Sequence, residues 1–235
     1  MIQLLILSAI AGGMIPLGAV LARMENLRPA WLEDEFRHTV IAFGAGALLA
    51  AVAFVLIPDG AAAVPAWSAP LILLAGGGVM ALVDRIITRS GGQAGQFIAM
   101  LADFLPEVIA LGALYTAGGG GSAVLLALLI ALQNLPEGFN AYRERIAAAP
   151  DAGKRVLITF CVLALIGPVG AVLGYTMLAR DGITLGVMML FAAGAILYLM
   201  FQDIAPQVRL ERANGPAIGA VAGVALGLAG HLILG

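Results

Sequence analysis

The chain has 235 residues; 62% are hydrophobic, 11% are charged, and the net charge is −2. A soluble domain carries about a quarter charged residues, so this composition excludes an ordinary soluble domain and requires an integral membrane protein. One cysteine, Cys161, excludes an internal disulfide and a Cys-based metal cluster, and two histidines, His38 and His231, exclude a His-rich metal site.

Apolar runs long enough to cross a bilayer, about 17–25 residues each, occur eight times, near 2–22, 39–58, 69–87, 96–116, 122–142, 155–178, 183–206 and 214–234. The first, "MIQLLILSAIAGGMIPLGAVLAR", has no basic leader and reads as a retained span, not a cleaved signal. The connectors are short. "PDGAAAVPAWSA" (58–69) and "AGGGGSA" (117–123) read as Gly/Pro/Ala turns, and "RIITRSGGQ" (85–93) is basic. No soluble domain fits between the spans, so residues 1–235 form a single transmembrane domain of the all-α class.

The basic residues set the direction. Arg23, Arg28 and Arg37 follow span one, Arg85 and Arg89 span three, Arg143, Arg145, Lys154 and Arg155 span five, and Arg209 and Arg212 span seven. Of the 12 Lys and Arg residues only Arg180 lies in a loop of the other parity. The positive-inside rule then places both termini on the outer side of the membrane.

The two ends of the chain share a pattern. Span two reads "FGAGALLAAVAFVLIP" (Phe43 to Pro58) and span seven "FAAGAILYLMFQDIAP" (Phe191 to Pro206). Span one holds "PLGAVL" (16–21), span six holds "PVGAVL" (168–173), and spans four and five share "LPE" at 105–107 and 135–137. The members of each pair run in opposite directions in this topology. The expectation is an inverted repeat, with spans one to three and six to eight arranged around a central pair of spans four and five, and with a substrate site near the midplane.

That central pair carries the chemistry. Asp103 and Glu107 are four apart, as are Gln133 and Glu137, so each pair stacks on one helix face. A carboxylate at such depth costs roughly 2.5–3.5 kcal/mol if charged and exposed to lipid. No basic residue lies deep enough to pair with Asp103, Glu107 or Glu137, so these must be protonated, hydrated or bound to a cation. Pro106 and Pro136 remove helix hydrogen bonds and kink their helices, freeing the carbonyls of Ala102 and Leu132 to face a cation. "DFLPE" and "QNLPEG" therefore read as two halves of an all-oxygen cation site. Asn134 points about 100° away from Gln133 and serves either as a ligand or as glue between helices. Asp59 at the outer mouth and Gln202 and Asp203 near the inner end of span seven are either solvated helix ends or entrance and exit relays. His231 and Cys161 read as packing residues, and Asp84 beside Arg85 as interfacial charge.

These residues resemble the ZIP (Zrt/Irt-like) family of divalent metal transporters, most nearly its short-loop bacterial GufA-like branch. The likeness covers the whole chain: eight spans, "FGAGALLA" in span two, two "PE" helices, and "FAAGAILY" followed by an acidic residue and Pro in span seven. The family's fourth span typically carries His-Asn-x-Pro-Glu and its fifth His/Gln-Glu/Asp-x-Pro-Glu; "QNLPE" is a specific match and "DFLPE" a partial one. The resemblance implies a first metal site of Asp103, Glu107, Gln133 and Glu137, and a second, adjoining one sharing Glu107 and Glu137. Here Asp103 replaces a His, Phe104 an Asn, and Gly167 an acidic residue, so that Asn134 alone keeps a donor of the second site's own. One metal position is expected. Without His or Cys the site is hard, favouring Mn, Mg or Ca, although Zn and Fe also accept oxygen ligands.

The sequence thus points to a divalent metal transporter, not an enzyme, in a bacterial inner membrane with both termini periplasmic. Its substrate is a metal ion (Zn, Mn, Fe or Mg) and its partners are that ion and the lipid bilayer. Nucleic acid is not expected, and a homodimer is compatible with this reading. The alternatives are a proton-linked carrier of an organic solute and a non-transporting membrane protein that binds or senses metal.

Overall fold

The computed structural model describes the backbone of residues 1–24, 30–90, 93–116, 120–178, 182–207 and 214–234, and their side chains except at 30–34, 87–90, 93–99, 102–103, 177–178, 203–204 and 207. The described residues contain no strand. The helices are α1 (Ile2–Met24), α2 (Ala30–Ala51), α3 (Ile57–Ala63), α4 (Ala69–Ser90), α5 (Gln93–Thr116), α6 (Gly120–Ala148), α7 (Gly153–Leu173), α8 (Gly182–Leu199), α9 (Ala205–Gln207) and α10 (Gly215–Leu234). Among the described residues, seven helical stretches are long and apolar enough to cross a membrane. This is the make-up of a multi-pass membrane protein. The eighth expected span is α5, 24 residues long, whose described apolar stretch is Phe104–Thr116.

Four boundaries differ most from the sequence reading. α2 begins at Ala30, well before the expected 39, and α6 runs on to Ala148, past 142. Hydropathy marks where a helix meets lipid, whereas backbone hydrogen bonding carries these two helices beyond that limit. The expected turn at 58–69 is half helical, since Pro58 opens α3 near its N-terminus and only 64–68 leave the helix. In the expected 117–123 turn, 120–123 already belong to α6, while 117–119 lie outside the described residues.

Pro58 is accommodated by a π turn, Val52–Leu56, between α2 and α3, in which the Ile57 N–H donates to the Val52 carbonyl. A second π turn, Met200–Ile204, joins α8 to α9, and there the Ala205 N–H donates to the Met200 carbonyl. Each turn ends two residues before a proline, Pro58 or Pro206. Proline has no N–H and its ring crowds the preceding turn; widening that turn to i→i−5 bonding carries the chain through without ending the helix. A third π turn, Gly174–Leu178, follows α7.

The bundle is ordered by burial. The most apolar window of α6 is 61% buried, against 11% for α4 and 17% for α10, so α6 is central and the other two are peripheral. α1 packs along α6 and α7, α5 along α7, α2 along α10 and α6, and α4 along α8. The peripheral helices dock through glycine. Gly46 of α2 lies against the Ala220 carbonyl and Gly223 of α10 against the Phe43 carbonyl, while Gly194 of α8 lies against Leu73 and Gly76 of α4 against Phe191. Lipid tails are as apolar as Leu, so close backbone approach at small residues is what holds such pairs together. Leu4, Ile15, Leu48, Val55, Phe104, Leu111, Leu126, Ile130, Leu163 and Met189 contribute to one continuous core drawn from α1, α2, the first π turn, α5, α6, α7 and α8.

Candidate metal centre

The "QNLPEG" segment lies in the most enclosed part of α6. α1 crosses it at Gly18 against the Leu135 carbonyl and at Ile15 against Gly138, and α2 crosses at Gly44, where a Cβ would stand 3.0 Å from Pro136 Cγ and 3.3 Å from Gln133 Cα. α5 and α6 run through Pro106 and Pro136 as continuous helices and pack on one another.

Within this enclosure Glu107 is 1% exposed, Gln133 3% and Asn134 1%, and Glu137 is partly buried. Gln133 Nε2 donates to Glu137 Oε2 at 2.9 Å, the i,i+4 contact that the spacing predicts. Glu107, Gln133 and Glu137 each take part in further polar or electrostatic interactions. Asn134 turns to α1, where its Nδ2 donates to the Ala11 carbonyl at 2.9 Å. Its Oδ1 is buried and has no hydrogen-bond partner among the described residues. The donor half of this amide ties two helices together, and the acceptor half is left over.

The Asp103 side chain lies outside the described residues; its backbone belongs to α5, one turn before Glu107. Among the described residues no three His, Cys, Asp or Glu side chains gather closely enough to hold a metal ion. The described oxygen donors are the carboxylates of Glu107 and Glu137 and the amides of Gln133 and Asn134. Such a set is hard and anionic, suited to an oxygen-seeking cation.

Phe104, 2% exposed and three residues before Glu107 on α5, turns its ring toward α1 and α7. A Cβ at Gly12 would stand 3.0 Å from its Cζ, and a Cβ at Gly167 3.1 Å from the same atom. Two of the three positions where the chain departs from the resemblance, Phe104 and Gly167, thus lie against one another.

The pathway candidates are spread out. Asp59 is exposed on α3, within electrostatic reach of His231 on α10. His231 stacks on Phe54 with ring centroids 5.6 Å apart, so it packs as expected but also faces a carboxylate. Gln202 is exposed on the second π turn; Asp203 follows it there, with its side chain outside the described residues. Asp84 accepts a hydrogen bond from Tyr198 of α8 at 2.9 Å, so it ties two helices together in addition to lying beside Arg85. Sequence reasoning passed over Asn140, which donates to Glu144 Oε1 at 2.9 Å. The signal was present in the row 133, 137, 140, 144, whose steps of four, three and four keep one helix face.

No protein-family model matches the chain, and comparison with curated proteins returns no match.

Proposed function

We propose that this protein carries a divalent metal cation across the membrane, binding it between α5 and α6 through Glu107, Gln133 and Glu137, with Asp103 as a further ligand. The observation that carries this reading is Glu107, a carboxylate 1% exposed inside an apolar bundle, on a helix packed against the one that holds the Gln133–Glu137 pair. Ionisable side chains held inside membrane bundles are expensive and mark ion or proton pathways. Phe104 against Gly12 and Gly167 supports a single ion, because it places an apolar ring where a second ligand group would have to stand.

The inverted-repeat architecture belongs to the same proposal. It is supported by the matched glycine contacts, Gly46 on Ala220 with Gly194 on Leu73 and Gly223 on Phe43 with Gly76 on Phe191. It is supported also by the π turns that precede Pro58 and Pro206 at corresponding places. In this reading the chain is a ZIP-like transporter of the bacterial inner membrane with both termini outside, alternating access by moving one group of helices against another.

The test is uptake into proteoliposomes across a panel of Mn, Zn, Fe, Mg and Ca, together with metal-dependent thermal shift of the purified protein. Stabilisation and uptake by at least one divalent ion are expected. Uptake of an organic solute driven by a proton gradient, with no metal-dependent stabilisation, would favour the proton-linked carrier. Stabilisation without uptake would make the protein a metal-binding or sensing one.

A further inference from the structure

Four polar side chains line one face of α6: Gln133, Glu137, Asn140 and Glu144. They are joined as two like pairs, in each of which an amide donates to the carboxylate one turn further on, at 2.9 Å in both cases. Exposure rises from the first member of the row to the last. Gln133 is 3% exposed, Glu137 and Asn140 are partly buried, and Glu144 is exposed. In the other direction from Gln133 the helix presents Leu126, Leu129 and Ile130, at 1%, 1% and 0% exposed. The row therefore begins at the buried centre, is closed by apolar packing on one side, and reaches the surface only at the end that carries Arg143 and Arg145. The Arg143 guanidinium lies 5.8 Å over the Phe139 ring, on the neighbouring strip of the helix.

Asn140 Oδ1 adds a second observation. It is buried and accepts no hydrogen bond among the described residues. A buried amide oxygen left in that state is unfavourable, and a hydrated or partly dehydrated cation would supply the missing partner.

We propose that this face of α6 is the route between the buried centre and the basic end of the bundle, with Asn140 and Glu144 as a second staging position for the cation. The Asn140–Glu144 pair lies seven residues beyond the Gln133–Glu137 pair, a step of roughly 10 Å or about two helical turns along the axis. The staging pair repeats the amide-and-carboxylate chemistry of the centre at greater exposure, so it holds the ion more weakly and releases it to water. This inference rests on the reading of the centre as a cation site.

The experiment compares Mn²⁺ uptake into proteoliposomes with equilibrium Mn²⁺ binding for the wild type, Asn140→Leu, Asn140→Asp and Glu144→Gln. Asn140→Leu is expected to slow uptake at least tenfold while leaving the affinity of the buried centre within twofold. Asn140→Asp, which keeps an oxygen acceptor at that place, is expected to restore uptake to within threefold of wild type. Glu144→Gln is expected to slow uptake severalfold. Wild-type uptake rates in Asn140→Leu would overturn the route, as would equal loss in Asn140→Leu and Asn140→Asp. A wild type that neither binds nor transports Mn²⁺ or another divalent ion would instead remove the cation reading, and the route with it.

Discussion

Replacing Glu137 by Gln removes one negative charge from the centre and keeps its shape. The amide oxygen of a glutamine at that position still accepts the 2.9 Å hydrogen bond from Gln133 Nε2, so the α6 face keeps its local contact. On the proposed reading, what changes is the field on a bound cation. Removing one partner of a buried charge pair costs roughly 3–5 kcal/mol, or about a hundredfold to several thousandfold in Kd. Glu137 is only partly buried, so water offsets part of the loss and the lower end applies, about a hundredfold. Glu107, at 1% exposure, has no such relief, and Glu107→Gln belongs at the upper end. The assay is calorimetric titration of the purified protein with Mn²⁺ and Zn²⁺, with thermal shift confirming that both variants are folded. Affinity within threefold of wild type in Glu137→Gln would remove the cation from the "QNLPEG" helix. A larger loss in Glu137→Gln than in Glu107→Gln would refute the argument from burial.

The other predictions concern selectivity, packing and direction. Asp103→His introduces an imidazole, which favours Zn over harder ions, so the Zn/Mn binding ratio should rise at least tenfold; an unchanged ratio with binding intact means Asp103 is not a ligand. Phe104→Ala costs about 3–5 kcal/mol in an aqueous core, and without the transfer term that lipid cancels about 2 kcal/mol should remain, read as lost stability in mild detergent. Gly46→Leu and Gly194→Leu each push a side chain into a facing backbone carbonyl, and both should lower the yield of folded protein to a similar degree; tolerance at one and collapse at the other would count against matched halves. A reporter fused to the C-terminus should be active only outside the cytoplasm, and cytoplasmic activity would reverse the topology.

The helices were legible because the spans are nearly uninterrupted apolar runs, and the Gln133–Glu137 pair because i,i+4 spacing fixes one face whatever the surroundings. Pro58 was misread as the start of a turn because proline usually ends a helix; the π turn that carries the chain past it depends on backbone geometry that residue types do not encode. The ends of α2 and α6 were misplaced because hydropathy reports on lipid contact and says nothing of hydrogen bonding beyond it. Asn134 had two readings from sequence alone. Only tertiary contact shows that its N–H reaches the Ala11 carbonyl on α1, leaving the oxygen for another partner. The meeting of Phe104 with Gly12 and Gly167 joins three helices, and local periodicity does not reach that far.

That meeting also bears on how many ions the proposed centre takes. Phe104 and Gly167 read from sequence as two separate losses of a donor, but in space they form one packing arrangement. A Cβ at Gly167 would stand 3.1 Å from Phe104 Cζ and 2.7 Å from the Ser8 carbonyl oxygen. A Cβ at Gly12 would stand 2.7 Å from the Ala164 carbonyl oxygen as well as 3.0 Å from the ring. The ring therefore fits because both glycines are bare, and the same glycines bring α1 and α7 together backbone to backbone. Exchanging Phe104 for a polar residue leaves that spacing as it is, and adding a carboxylate at Gly167 drives its Cβ into α1. A ligand group at position 167 would require α1 and α7 to move apart, at the expense of the contacts that join them. On the proposed reading, the preference for one ion is thus set at Gly167 by the distance between two helices and at position 104 by the apolar ring that fills the space.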